Sequence, residues 1–264
     1  MVDIHCHLLP GLDDGCPSLE TSLEMAKSAI AEGITHVIAT PHANSQFEFI
    51  PNLVQLRRDE IQERLGERLQ IATGCDFHLS YENLEALRKV PSRFTLNQKS
   101  YLLVEFDDFS IPQVLDQALH DLQLQGLCPI ITHPERNPLI RAQFERLWSW
   151  MRLGCFVQVT AQSLLGGFGE KAQQAAEALL DAGAIHFVAS DAHNTTTRPL
   201  RLKDAYNFVA ARKGEDIARA LFQENPLAVF EGRPLPCVTP PAELPANRRG
   251  RTGQKPKRRF WFFL

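Results

Sequence analysis

Along residues 1–212 the hydrophobic and polar positions follow one repeating unit. A short apolar run is followed by polar residues of metal-ligand type, and then by a stretch whose apolar residues recur at helical spacing. The runs are Val2-Asp3-Ile4, Val37-Ile38-Ala39, Gln70-Ile71-Ala72, Tyr101-Leu102-Leu103-Val104, Pro129-Ile130-Ile131, Phe156-Val157-Gln158-Val159 and Phe187-Val188-Ala189, which predicts seven strands. Between the first two, Leu19, Leu23, Ala26 and Ile30 mark a helix behind an N-cap at Ser18, ended by Gly33. Further helices are expected at about 52–68, 80–90, 112–125, 141–153, 170–182 and 200–212.

Strand–helix alternation of this kind implies parallel strands, because each crossover needs a helix's length of chain. The apolar, β-branched character of the runs fits strands covered on both faces. An open doubly wound sheet and a closed barrel both satisfy the pattern, and the polar residues decide between them. They follow six or seven different strands at the C-terminal ends, which only a barrel gathers at one mouth. The expected fold is therefore a single α/β domain over residues 1–233, with a short helical closure at about 215–230.

From Pro234 the composition changes. Pro234, Pro236, Pro240, Pro241 and Pro245 break regular structure, and residues 248–264 hold seven cations, no acid and a Phe260-Trp261-Phe262-Phe263-Leu264 end. Residues 234–264 read as a disordered tail. A sharper reading is peripheral contact of 248–264 with an anionic membrane surface. The rest of the chain carries 21 basic against 31 acidic residues, a formal net of −10, which suits cation binding and argues against a nucleic-acid partner. No apolar run reaches 18 residues and no signal-type segment precedes Asp3, so the expected location is the cytoplasm. The six cysteines form no CxxC pair and read as reduced, mostly buried thiols.

The residues after each run carry the chemistry. His5 and His7 follow the first, with Asp13 and Asp14 in the next loop; His42 follows the second, Asp76 the third and Glu105 the fourth. The fifth leads into His133-Pro134-Glu135-Arg136 and the seventh into Asp191-Ala192-His193; the sixth offers only Gln158 and Thr160. An HxH on a strand points both imidazoles to one side. Mixed imidazole and carboxylate donors suit Zn²⁺, Mn²⁺ or Fe²⁺, and their number implies two or three ions, with Glu105 placed to bridge. His36, His120 and His186 read as ordinary core or surface residues, two at the opposite ends of strands and one on a helix, and His78 stays open. Arg136 and Arg198 lie just beyond ligand motifs, where a guanidinium can grip two phosphate oxygens; the competing reading pairs them with Glu135 or another acid.

Asp3-Ile4-His5-Cys6-His7, Thr40-Pro41-His42, His133-Pro134-Glu135-Arg136 and Ser190-Asp191-Ala192-His193 resemble the four motifs of the PHP (polymerase and histidinol phosphatase) superfamily. Leu12-Asp13-Asp14-Gly15, Val104-Glu105-Phe106, Gln158-Val159-Thr160-Ala161 and His193-Asn194 followed by Arg198-Pro199 narrow the resemblance to its capsule-type (CpsB/CapC-like) bacterial protein-tyrosine phosphatases, over about residues 1–230. The resemblance implies a distorted (β/α)7 TIM-like barrel and a cluster of two or three divalent ions, manganese foremost. Its ligands would be His5, His7, Asp14, His42, Asp76, Glu105, His133, Asp191 and His193. The family pattern has Glu where this chain has the shorter Asp76.

On this reading Arg136 and Arg198, with Asp14 and His42, act on a phosphotyrosine, and water activated by the ions attacks phosphorus in line. A tyrosine leaving group, with a pKa of about 10, needs little protonation. A thiol mechanism requires Arg six residues after a Cys, and none of the six cysteines has one. The implied partner is the phosphotyrosine tail of a membrane-associated bacterial tyrosine kinase controlling exopolysaccharide synthesis, which would bring the protein to the inner face of the membrane. The rival readings are a small-molecule phosphatase of the histidinol-phosphate type, a nuclease, and a non-catalytic, metal-bound kinase adaptor.

Overall fold

The computed structural model describes residues 1–238. The expected readings of the tail beyond 238, disorder and membrane contact, lie outside the described residues. Nine strand segments run β1 (Val2–Cys6), β2 (His36–Ala39), β3 (His42–Ala43), β4 (Gln70–Thr73), β5 (Asp76–His78), β6 (Tyr101–Glu105), β7 (Cys128–Thr132), β8 (Phe156–Thr160) and β9 (Phe187–Ala189). All pairings are parallel, in the orders β1-β2-β4 and β3-β5-β6-β7-β8-β9. β2 and β3 are two halves of one path interrupted at Thr40-Pro41, and β4 and β5 are two halves interrupted at Gly74-Cys75. Proline lacks the ladder donor. A Cβ on Gly74 would come within 2.5 Å of the Leu96 side chain. Seven strand paths result, as the apolar runs predict.

The circuit closes at the C-terminal ends. His7 N–H donates to the Ala192 carbonyl and Asp191 N–H to the His5 carbonyl, both at 2.8 Å, around a Cys6–Ala192 bridge. Lower down the Asp3 carboxylate replaces a ladder acceptor, taking the Ser190 N–H at 3.1 Å. This is a distorted (β/α)7 barrel. Its interior is an apolar cluster fed by every path: Val2 and Ile4, Ile38, Ala72, Tyr101 and Leu103, Ile130, Phe187 and Ala189, with Phe156 packed against them. Full burial of one such side chain stabilises the fold by about 1.5–3 kcal/mol.

Helices α1 (Leu19–Ala31), α2 (Pro51–Leu65), α3 (Tyr81–Lys89), α4 (Val114–Leu124), α5 (Pro138–Ala142), α6 (Phe144–Arg152), α7 (Ala161–Leu164), α8 (Glu170–Asp181), α9 (Lys203–Lys213), α10 (Glu215–Arg219) and α11 (Asn225–Glu231) follow the strands. Ser18 caps α1 by accepting the Thr21 N–H, and Gly33 beyond it takes φ +81°, as the sequence indicates. The stretch expected at 141–153 is instead split at Gln143, and the expected closing helix contains a π-turn over Ala220–Glu224 before α11 seals the floor with Val229. Among the described residues no helix is long and apolar enough to cross a membrane.

Candidate metal centre

Strand alternation should place Val2 and Ile4 on one side of β1 and His5 and His7 on the other. The register of β1 against β2 slips by one residue between Asp3 and Cys6. That bulge resets the parity, so Val2 and Ile4 join the barrel interior while His5 and His7 also turn into its mouth. On β6, β8 and β9 alternation suffices: Glu105 continues the Tyr101–Leu103 face, Asp191 the Phe187–Ala189 face, and Gln158 the Phe156 face. His133 and Asp191 both hold left-handed backbone, φ +33° and +51°. That conformation is costly for residues other than glycine and concentrates at functional sites.

All nine residues of the expected ligand set come together at this mouth. Their donor atoms fall into four groups within 4.8 Å of one another: His7, Asp14, His42 and His193; His5, His7 and Asp76; His5, His133 and Asp191; His42, Asp76 and Glu105. Asp76, despite its short reach, is fully buried, with one oxygen 3.4 Å from His5 Nε2 and 3.2 Å from His42 Nδ1. The Glu105 carboxylate lies 3.5 Å from His133 Nε2 and 3.7 Å from His42 Nδ1, between neighbouring groups. Asp14 is half-exposed, at the outer edge beside His42 and His193.

Outer partners fix which imidazole nitrogen faces the centre. His5 Nδ1 donates to Gln158 Oε1 at 2.9 Å, His7 Nδ1 to the Asp13 carboxylate at 2.6 Å, and His193 Nδ1 to the Asp191 carbonyl at 3.0 Å. Each Nε2 is left facing the centre. Asp13 also accepts the His42 and Gly15 N–H groups. Gly15 is obligatory here, since a Cβ would lie 2.5 Å from the His7 backbone oxygen.

These inward atoms decide whether cations fit. His5, His7 and His193 Nε2, His42 Nδ1 and both Asp76 oxygens are buried without a hydrogen-bond partner. Burying polar atoms unpaired is costly, so a cluster of them facing one another is the mark of a coordination site. The electrostatics agree. Burial alone would lower the His5 pKa, yet the Asp76 and Asp191 carboxylates push it up to about 9. Burial likewise opposes protonation of His42, but Asp76 and Glu105 raise it to about 10. Burial would raise the Asp76 pKa, but His5 and His42 hold it well below the ordinary carboxylate range. The site draws positive charge to its centre, and the imidazole–carboxylate donors suit borderline divalent ions.

Arg136 and Arg198 both donate to Asp191 Oδ2, Arg198 Nη2 at 2.6 Å, leaving Oδ1 turned toward His5 and His7. The competing reading thus holds in part: both arginines pair with an acid, Asp191 rather than Glu135. The buried Glu135 carboxylate accepts the Thr160 N–H and Ser163 hydroxyl and so pins the β8–α7 turn. The Arg136 guanidinium stacks over Phe168 at 4.3 Å, with Arg198 at 5.8 Å from the same ring. Phe168 follows no apolar run and carries no ligand chemistry, and its one signal in the sequence is the surrounding Gly166-Gly167-Phe168-Gly169, which marks a tight turn. Beside the cluster opens a cleft of about 540 Å³ whose lining includes Glu105, His133, Arg136, Phe168, Phe109 and His78. His78 stands 3.9 Å from Glu105. His36 and His186 lie at the opposite end of the barrel.

Comparison with known proteins matches this architecture. The tyrosine-protein phosphatase YwqE of Bacillus subtilis is 35% identical over 245 residues, 89% of this chain and 96% of that one. The tyrosine-protein phosphatase CpsB of Streptococcus pneumoniae is 30% identical over 243 residues, 87% and 98%. A crystal structure from work on YwqE and CpsB, described as metal-dependent tyrosine phosphatases, superposes with TM-score 0.86 at 35% identity, covering 93% of this chain and all of the other. The lactonase Lmo2620 from Listeria monocytogenes shares the fold at TM-score 0.55 and 12% identity, over 87% of this chain and 94% of its own. The family described as capsular polysaccharide synthesis, CpsB/CapC, matches residues 1–231. The chain belongs to the CpsB/CapC family.

Proposed function

We propose that this protein is a metal-dependent protein-tyrosine phosphatase. The observation that carries the proposal is the convergence of nine imidazole and carboxylate side chains, with unpartnered atoms facing inward, on a cleft that presents Arg136. The phosphatase names of its relatives point the same way. The ligands are His5, His7, Asp14, His42, Asp76, Glu105, His133, Asp191 and His193, and they hold two or three divalent ions, manganese foremost.

When bound, the ions supply Lewis acidity that neutralises phosphoryl oxygens and lowers the pKa of water. The chain's own residues do the positioning. Gln158, Asp13 and the Asp191 carbonyl keep three imidazoles in the ligating tautomer. Asp191 Oδ2 and the Phe168 ring hold Arg136 and Arg198 together at the mouth, where their forks orient the phosphoryl group and stabilise its charge during transfer. Asp14 and His42 stand 3.4 Å apart at the more open side of the cluster, where they would hold an ion that supplies activated water. The leaving phenolate needs little proton assistance.

The substrate we propose is the phosphotyrosine tail of a membrane-associated bacterial kinase in capsule or exopolysaccharide synthesis, met in the cytoplasm at the inner membrane face. The test is phosphate release from a phosphotyrosine peptide with Mn²⁺, with and without chelator, beside a His5→Ala/His7→Ala protein. Chelator-sensitive release lost in the double variant is expected. Turnover of histidinol phosphate but not of the peptide would overturn the tyrosine assignment.

A further inference from the structure

Phe109 is 93% exposed, yet its backbone is anchored. The Asp107 carboxylate accepts the Phe109 and Ser110 N–H groups at 2.6 and 2.9 Å. Asn137, itself buried, donates to the Phe106 and Asp107 carbonyls and the Asp108 carboxylate. Phe106, at the root of the loop, stacks on Trp150 at 4.7 Å, and Arg146 grips the Ile111 and Pro112 carbonyls at its far end. An exposed phenylalanine adds almost nothing to the fold, so this anchoring holds a ring in solvent where collapse would have been the cheaper outcome.

The anchored backbone places Phe109 at the edge of the cleft. Phe109 lines the cleft that also contains Glu105, His133 and Arg136, and Phe168 lines it too. A molecule whose phosphoryl group sits on Arg136 has its remaining part in that cleft, which at about 540 Å³ is of ordinary ligand size. A pre-set aromatic surface costs little ordering on binding, and offset or edge-to-face packing suits another aromatic ring.

We propose that Phe109 is the specificity-determining platform for the aryl ring of the substrate, the group through which this site favours an aryl over an alkyl phosphomonoester. The inference rests on the phosphatase reading above. Mn²⁺-loaded full-length Phe109→Ala and Phe109→Tyr proteins are compared with the wild type on a phosphotyrosine peptide, with inorganic phosphate and glycerol phosphate as competitive inhibitors. Phe109→Ala is expected to raise KM for the peptide about three- to tenfold, the range of an aromatic pair. It should leave kcat, both inhibition constants and the melting temperature unchanged, and Phe109→Tyr should restore KM. An unchanged KM, or equal weakening of peptide and glycerol phosphate, overturns the platform while leaving the phosphatase reading intact. A wild type that releases no phosphate from the peptide, with or without added metal, removes the phosphatase reading and the platform together.

Discussion

The two ends of the barrel treat the same residue type in opposite ways. At the floor, His186 is buried, its Nδ1 accepts the Val157 N–H at 3.1 Å, and Asn225 donates to its carbonyl. His36 Nδ1 pairs with the Thr35 hydroxyl, and the Tyr101 hydroxyl donates to the Arg233 carbonyl. At the mouth, His5, His7 and His193 also have one ring nitrogen partnered, but the other is buried and free, and the Asp76 carboxylate among them is equally unpaired. The floor histidines leave no ring nitrogen buried and unpaired. Mouth histidines are complete only with a cation, and this difference, rather than the histidine count, separates a packing residue from a ligand.

The largest effects should come from breaking the mouth. Asp76→Ala removes the carboxylate common to two candidate metal groups. We expect it to lower metal-dependent phosphate release by at least roughly 10³-fold, about 4 kcal/mol of transition-state stabilisation. Retention of more than a tenth of the wild-type rate would mean the buried carboxylate serves packing alone. Chelation should act in the same direction on stability. Ions held at about 1,000 times their Kd stabilise the fold by about 4 kcal/mol, so stripping them should lower the melting temperature, and re-addition of Mn²⁺ should restore it. A melting curve indifferent to Mn²⁺ would dissolve the contrast between the two ends.

The floor can be tested by pH. Burial depresses the His186 pKa to about 4, against about 6.5 in an unfolded chain. Between those values the unfolded state binds more protons, so stability is full above pH 6.5 and falls as pH drops toward 4. The loss from this group is about 3 kcal/mol. His186→Asn keeps an acceptor for the Val157 N–H but cannot titrate. Its unfolding free energy should lack that part of the slope between pH 6.5 and 4, measured in denaturant titrations at matched metal loading. Slopes that superimpose on the wild type would show that His186 charges without penalty.

Much of this contrast was legible in the chain. The seven apolar runs stand out because strands covered on both faces carry few polar residues, so ligand types at their ends are conspicuous. The assignment of His36 and His186 to the far end followed from their place before, rather than after, a run. What could not be read is geometry that alternation does not encode. The bulge in β1 lets Ile4 and His5 share the interior, and no feature of Val2-Asp3-Ile4-His5 announces it. The left-handed backbone at His133 and Asp191 and the common use of Asp191 by two arginines are tertiary facts. His42 and Asp76 stand beyond the second and third apolar runs because proline and glycine interrupt their strands, yet they pair in register on β3 and β5.

Gln158 is the residue where sequence and structure meet most instructively. On the sixth strand it was the polar position without a ligand's chemistry, and its inward parity was visible while its role was not. In the barrel its Oε1 is the acceptor that makes His5 Nδ1 the protonated nitrogen and Nε2 the free one. Gln158→Leu keeps the volume and burial but removes that acceptor, so His5 gains freedom to turn or to change tautomer. Loss of such an outer partner typically weakens metal affinity about 10- to 100-fold. We expect that shift in Mn²⁺ affinity by calorimetry, with the fold and the floor untouched and activity recovered at high Mn²⁺. Gln158→Glu, which retains the acceptor, should bind Mn²⁺ at least as tightly as the wild type. If Leu and Glu variants bind Mn²⁺ alike, the tautomer of His5 is set elsewhere, and the sixth strand contributes shape rather than chemistry to the mouth.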